Sequence, residues 1–137
     1  MKFEYDICII GGLGHVGLPL GIVFSDSGLN VCLFDINETA AQIVVDGNLP
    51  FYEKNAQKIL KDVLFKGKLH ISLNPNSISK SKFLVIVIGT PVDEHLNPEI
   101  DLFKNFIDSH IQYLLNNQII ILRSTVYPGT TEWLFSY

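Results

Sequence analysis

Residues 5–17 read YDICIIGGLGHVG, and this stretch decides the fold. Its first half is an apolar run typical of a strand buried on both faces. Its second half, residues 12–17, matches the pattern GxGxxG. That pattern predicts a tight turn at Gly12, close approach of a dinucleotide diphosphate to Gly14, and close packing of helix on strand at Gly17. The stretch therefore predicts a strand, a phosphate-binding loop and the start of a helix.

An acidic residue follows the second apolar run. Residues 31–34 lead directly into Asp35, which lies 18 positions after Gly17. An acid at this place accepts hydrogen bonds from the ribose hydroxyls of NAD. Its charge also repels the 2′-phosphate of NADP, and no arginine follows nearby to compensate, so NAD is the predicted cofactor. The alternative is that Asp35 only caps the helix that follows it.

Apolar runs alternate with stretches of helical spacing along the whole chain. The predicted strands are residues 5–10, 31–34, 69–73, 83–88 and 119–122. The third is expected at a sheet edge with one face exposed to solvent, and the other four are expected to be buried on both faces. Helical spacing covers residues 18–25, 39–46 and 56–65, and a further helix is predicted from Asp101 to residues 116–117. Gly47 and Gly67 are expected to end the second and third of these helices in a left-handed conformation. This alternation predicts an α/β fold, a doubly wound Rossmann-type parallel sheet with helices on both faces.

Hydroxyl side chains follow two of the predicted strands. Thr90 and Pro91 come after the fourth predicted strand in the chain, and Ser124 and Thr125 come after the fifth. In a sheet of order 3-2-1-4-5, ligands bind outside the carboxyl ends of the strands at the switch point. We therefore expect Thr90 and Thr125 to enter the crevice of the glycine loop, where a hydroxyl can bond to a ribose or a carboxamide.

Composition excludes several classes of protein. The chain has 137 residues, is 47% hydrophobic and carries a formal net charge of −4, which fits one globular domain. Its ten basic residues are scattered, which argues against a nucleic-acid partner. The first apolar run is too short for a signal peptide or a membrane span, so no membrane association is expected.

The two cysteines and one acidic loop are candidates for reactive or metal-binding groups. Cys8 and Cys32 lie within predicted buried strands. They are expected to stay reduced in a cytoplasmic protein, without a catalytic or disulfide role. Residues 93–95 read Asp-Glu-His, but one histidine beside two consecutive carboxylates is more typical of a solvated loop. No metal site is predicted.

Five motifs occur in an order that resembles a known family. They are GLGHVGLPLG, FDIN, GNLPFYE, GTP and STVYPGTTE, and they span nearly the whole chain. Together they are similar to the N-terminal NAD-binding domain of the UDP-glucose/GDP-mannose dehydrogenase family. The resemblance implies that residues 1–137 are the truncated N-terminal part of a longer NAD-dependent oxidoreductase acting on CH-OH donors. Such enzymes oxidise the C6 hydroxyl of a UDP-hexose, a UDP-N-acetylhexosamine or GDP-mannose to the uronic acid, for polysaccharide biosynthesis.

The resemblance also implies roles for individual residues. His15 and Val16 contact the pyrophosphate, and Thr125 lies near the nicotinamide, where it helps to position a catalytic water; it is the predicted catalytic residue. The family uses two NAD and passes through a thiohemiacetal on a cysteine that lies in later regions, so this chain alone is expected to bind NAD without turnover. A homo-oligomer is expected for the longer protein. The predicted cofactor-binding residues are Gly12, Gly14, His15, Val16, Gly17, Asp35, Thr90, Pro91, Ser124 and Thr125.

Three departures from the family pattern leave the nucleotide sugar open. His15 stands where an aromatic residue is common, Lys54 and Asn55 replace a Pro-Gly pair, and residues 92–99 lack a clean match. The GLPLG segment favours UDP-N-acetylhexosamines. The alternatives are a β-hydroxyacid dehydrogenase domain, against which STVYPGTTE argues, and a non-catalytic dinucleotide-binding module. A methyltransferase-like nucleotide site is disfavoured by the complete GxGxxG.

Overall fold

The computed structural model describes residues 2–89, 94–97 and 99–137. Within these residues, five strands form one parallel sheet in the order β3-β2-β1-β4-β5, which confirms the predicted doubly wound α/β fold. None of the described helices is long and apolar enough to cross a bilayer. The elements are β1 (Tyr5–Ile10), α1 (Gly17–Asp26), β2 (Val31–Phe34), α2 (Glu38–Val45), α3 (Ala56–Phe65), β3 (Leu69–Ser72), α4 (Asn76–Ser79), β4 (Ser81–Ile86), α5 (Ile100–His110), a 3-10 turn (Ile111–Tyr113), β5 (Ile119–Leu122) and α6 (Thr130–Ser136).

Two hydrophobic clusters cover the two faces of the sheet. Ile9 of β1 and Leu33 of β2 point to the side of α1, α2 and α3, where Leu60 is also fully buried. Cys8 and Phe103 belong to the cluster on the opposite side, which α4 and α5 cover. Because β1 and β2 are covered on both sides, they carry the unbroken apolar runs that parallel strands require.

The ends of α2 and α3 follow the predicted signals. Gly47 and Gly67 each follow the C-cap residue of their helix, with φ of +82° and +66°, the left-handed conformation that a helix C-terminus favours. The N–H of Gly47 donates to the carbonyl of Val44 at 2.9 Å. At the start of α2, the side chain of Asn37 accepts a hydrogen bond from the N–H of Ala40 at 3.0 Å. Asn37, and not Asp35, is therefore the N-cap of α2.

Several element boundaries differ from the predictions, among them the end of β4, which lies at Ile86 and not at residue 88, and one short helix was not predicted. β4 begins at Ser81 because its pairing with β1 starts where Ser81 lies beside Tyr5. The short helix α4 was not predicted, since four residues are too few to show a helical period. The helix predicted to reach residues 116–117 ends at His110 and continues only as the 3-10 turn. There the chain turns toward β5, and Gln118 accepts a hydrogen bond from the N–H of Leu115 at 2.7 Å.

The prediction that β5 is buried on both faces was wrong. Ile119 is 46% exposed and Ile121 is 43% exposed. β5 is the edge strand of the sheet and pairs with β4 alone among the described strands. Neither hydrophobic cluster includes Ile119, Ile120 or Ile121. On the side that Ile121 shares with Val85, the covering helices α1, α2 and α3 contact β1, β2 and β3.

Candidate functional site

The loop between β1 and α1 is held against β2 by backbone hydrogen bonds. The N–H groups of Gly11 and Gly12 both donate to the carbonyl of Phe34, at 2.9 and 3.1 Å. Gly11 has a φ of +84°, so the left-handed residue of the turn is Gly11. The prediction that the tight turn falls at Gly12 is corrected by one residue. The sequence signal for the left-handed residue was the Gly-Gly pair that opens the loop.

Two glycines of the motif are required by packing. A Cβ on Gly12 would lie 2.8 Å from the carbonyl oxygen of Ile9 and 2.8 Å from the Cβ of Leu33. A Cβ on Gly17 would lie 2.5 Å from the carbonyl oxygen of Gly11. Both contacts are shorter than real Cβ contacts, and most involve backbone, so neither position accepts a larger residue without movement of the loop.

Gly14 is different, since nothing in the protein requires a glycine there. A Cβ on Gly14 would meet only the carbonyl oxygen of Gly11, at an ordinary 3.6 Å, and its φ is not positive. The residue is exposed and lies just before α1, whose first turn contains no acidic residue. A free surface over backbone N–H groups at the positive end of a helix suits a phosphate group.

The carboxylate of Asp35 lies at the carboxyl end of β2, beside this loop. One oxygen accepts a hydrogen bond from the N–H of Leu13 at 3.0 Å. The other accepts from the N–H groups of Ile36 at 2.8 Å and Asn37 at 3.1 Å. The orientation of the carboxylate is therefore set by backbone donors from the phosphate loop and from the segment that follows β2.

A cleft at the carboxyl ends of β4 and β5 forms the second part of the site. Ser124 donates its hydroxyl to the carbonyl of Ile88 at 2.5 Å, which ties the segment after β5 to the segment after β4. Thr125 is exposed in the same cleft. The cleft has a volume of about 330 Å³ and is lined by Val16, Val87, Ile88, Gly89, Arg123, Ser124 and Thr125.

His15 contacts a residue that sequence reasoning missed. Its ring stacks on Phe51, with 4.1 Å between ring centroids and 29° between ring planes. Phe51 belongs to the GNLPFYE segment between α2 and α3, so the motif was the available signal. This segment is anchored by the side-chain amide of Gln57, which donates to the carbonyl of Gly47 at 3.1 Å. The GNLPFYE segment thus packs directly on the phosphate loop through Phe51.

The cysteines lie away from this crevice. Cys8 and Cys32 are both fully buried and pair side by side in β1 and β2. A hydrogen bond with Cys32 and burial raise the pKa of the Cys8 thiol well above its ordinary value. A nucleophilic thiol has to be reachable by substrate, so neither cysteine can attack one.

The comparisons with known proteins agree with this geometry. A sequence model of the UDP-glucose/GDP-mannose dehydrogenase family, NAD binding domain, matches residues 5–137. The chain belongs to this family. It is similar to the UDP-N-acetyl-D-mannosamine dehydrogenase of Pyrococcus horikoshii, with 30% identity over 121 residues, which are 88% of this chain and 29% of that protein.

One further relative and one solved structure support the family assignment. The UDP-N-acetyl-D-glucosamine 6-dehydrogenase of Pseudomonas aeruginosa is 33% identical over 121 residues, which are 88% of this chain and 28% of that protein. The chain superposes on the structure of the UDP-D-ManNAc dehydrogenase from Pyrococcus horikoshii with a TM-score of 0.86 and 29% identity. The match covers 94% of this chain and 30% of that protein. This NAD-binding domain therefore spans less than a third of the length of the relatives it matches.

The structure brings together only part of the predicted site of this NAD-binding domain. Gly14 and Asp35 lie at one part of the crevice, and Val16, Ser124 and Thr125 line the other. Thr90 and Pro91 lie outside the described residues, as does Asp93 of the acidic loop. Among the residues that are described, no three His, Cys, Asp or Glu side chains are grouped as metal ligands.

Proposed function

We propose that residues 1–137 form one NAD-binding domain of a longer dehydrogenase, with the pyrophosphate over Gly14 and the adenosine ribose at Asp35. The observation that carries this proposal is Gly14, whose open position is not needed by the fold and suits a diphosphate. Asp35 supports it, because its carboxylate lies beside the same loop and would repel a 2′-phosphate. His15 and Val16 border the pyrophosphate in this arrangement, and Thr90 and Pro91 remain predicted cofactor contacts.

The proposed reaction is oxidation of the C6 hydroxyl of a nucleotide sugar to a carboxylate. A UDP-N-acetylhexosamine is the favoured substrate class, because relatives at 30% and 33% identity are named for such sugars. When bound, NAD supplies the hydride acceptor. We assign to Thr125 the positioning of a catalytic water, and to Ser124 the placement of the Thr125 segment through its bond to Ile88.

The isolated chain is proposed to bind NAD and to catalyse nothing. Both thiols are buried in the middle of the sheet, so the nucleophile has to come from residues other than Cys8 and Cys32. A homo-oligomer and a cytoplasmic location of the whole protein remain predictions. The burial of both thiols also fits a second candidate, a dinucleotide-binding module that has no catalytic activity of its own.

Calorimetric titration of the chain with NAD, NADP and S-adenosylmethionine tests the cofactor. We expect NAD to bind at least about tenfold more tightly than NADP, a difference of about 1.4 kcal/mol. Preference for NADP or for S-adenosylmethionine contradicts the proposal. Formation of NADH from UDP-N-acetylhexosamines by a longer polypeptide carrying this domain supports the dehydrogenase, and its absence there supports the non-catalytic module.

A further inference from the structure

Arg123 is the single arginine of the sequence, and it lies in the cleft at the ends of β4 and β5. Its side chain is exposed and shares the cleft with Val16 and Thr125. Across residues 2–89, 94–97 and 99–137, the ion pairs join Lys66 to Asp62, Lys80 to Glu4, and His95 to Glu94. The guanidinium is therefore not neutralised by a described carboxylate.

The backbone that carries this side chain is held in place. The N–H groups of Arg123 and Ser124 donate to the carbonyl of Ile86 at 3.0 and 3.2 Å. The Ser124 hydroxyl adds its bond to the carbonyl of Ile88 at 2.5 Å. These three hydrogen bonds, to the carbonyls of Ile86 and Ile88, hold the backbone of Arg123 and Ser124 at the rim of the cleft.

Strand register places Arg123 on the same side of the sheet as the phosphate loop. Ile121 pairs with Val85, which belongs to the cluster under α1. Side chains alternate along a strand, so Arg123 follows Ile121 on that side. Val87 follows Val85 in the same way, packs against the same cluster, and lines the cleft together with Arg123.

We propose that Arg123 binds a phosphate oxygen of a diphosphate ester in this cleft, as a contact additional to the N–H groups of the phosphate loop. A guanidinium presents its donors as a planar fork that matches two phosphate oxygens. In a chain with fourteen acidic residues and a net charge of −4, a cation that forms no ion pair with a described carboxylate creates a local attraction for anions beside the loop. This inference rests on the proposed function.

Both the cofactor and the substrate class of the proposed function contain a diphosphate ester. NAD and a nucleotide sugar both contain a diphosphate ester, so the assay titrates the chain with NAD and with UDP-N-acetylglucosamine separately. Arg123→Met removes the charge and keeps much of the apolar stem, and Arg123→Lys keeps the charge without the fork. Lys2→Met is the matched control, because it removes one positive charge from an exposed residue that precedes β1, at the amino ends of the strands and away from the cleft at their carboxyl ends.

We expect Arg123→Met to raise the dissociation constant of at least one ligand about tenfold, with a flatter salt dependence. Arg123→Lys should recover part of the loss, and Lys2→Met should stay within about twofold of wild type. Weakened NAD binding assigns the contact to the cofactor, and weakened binding of the nucleotide sugar alone assigns it to the substrate. Arg123→Gln repeats the test if Arg123→Met lowers the unfolding temperature.

The failures of the two proposals are distinguishable. If wild type binds NAD and the arginine variants bind both ligands as wild type does, the role of Arg123 is overturned and the proposed function stands. If the wild-type chain binds neither ligand, both proposals are overturned together.

Discussion

The carboxylate of Asp35 accepts a hydrogen bond from the N–H of Leu13 at 3.0 Å, which joins the end of β2 to the phosphate loop. The two residues are 22 positions apart in the sequence. The carboxylate therefore accepts a hydrogen bond from the loop backbone, and it is also proposed to accept hydrogen bonds from the ribose of NAD.

Asp35→Asn should weaken NAD binding about tenfold or more and lower the free energy of unfolding by about 1–2 kcal/mol. The amide retains one acceptor oxygen, whereas the carboxylate accepts from three N–H groups. Calorimetry and urea denaturation measure the two effects. Asp6→Asn is the control, because Asp6 also accepts from a backbone N–H, that of Asn30 at 2.8 Å, but lies at the other end of the sheet. Unchanged NAD affinity in Asp35→Asn would show that the acid has only a structural role.

Gly14→Ala should reduce NAD binding at least about tenfold while the free energy of unfolding stays within about 0.5 kcal/mol of wild type. The new methyl group meets nothing closer than 3.6 Å in the protein, so the clash is with the ligand. Gly17→Ala is the contrast, because its methyl group would lie 2.5 Å from a backbone oxygen and should destabilise the fold by about 1–3 kcal/mol. Thermal unfolding with and without NAD separates the two. A Gly14→Ala chain that binds NAD normally contradicts the assigned pyrophosphate position.

Asn55→Ala should lower the free energy of unfolding by about 1 kcal/mol, and Asn55→Gly should change it by only a few tenths. Asn55 precedes α3 with a φ of +63° and makes no side-chain capping bond, so the loss comes from backbone strain. Asn105→Ala, on the exposed surface of α5, is the matched control and should be neutral or slightly stabilising. Urea midpoints measure all three. Equal values for the alanine and glycine variants at position 55 would show that the left-handed conformation carries no strain.

Ile9→Val should lower the free energy of unfolding by about 0.5–1.5 kcal/mol, and Ile121→Val should change it by less than about 0.5 kcal/mol. The same methyl group is removed in both, but Ile9 is 0% exposed and Ile121 is 43% exposed. Chemical denaturation of the two variants under one condition is the measurement. Equal decreases in the free energy of unfolding would indicate that the face of β5 that carries Ile121 is covered in solution.

Both thiols should react with a thiol reagent at least about a thousandfold more slowly in the native chain than in denaturant, because reaction needs global or local opening. Cys8 and Cys32 are fully buried, and the pKa of Cys8 is raised by its bond with Cys32 and by burial. The control is the same assay in guanidinium chloride, where two thiols should react. Rapid modification of either cysteine in the native chain contradicts their exclusion as buried, unreactive groups.

Local patterns determined much of the fold and part of the site. The spacing of Gly12, Gly14 and Gly17 and the acid at position 35 are short-range features, and they predicted the strand, loop and helix that the structure contains. The order β3-β2-β1-β4-β5 was also predictable, since alternating strands and helices allow few right-handed arrangements. Glycines 47 and 67 marked the helix ends for the same local reason.

Tertiary structure alone decided which groups meet and which side chains are covered. The bond between Asp35 and Leu13 and the stacking of His15 on Phe51 join segments far apart in the chain, and no periodicity encodes such contacts. The exposure of β5 was mispredicted because an apolar run reports what a strand can bury, whereas the neighbouring elements decide what it does bury. The sequence by itself determined a dinucleotide-binding fold, and the packing of distant segments decided how its crevice is built.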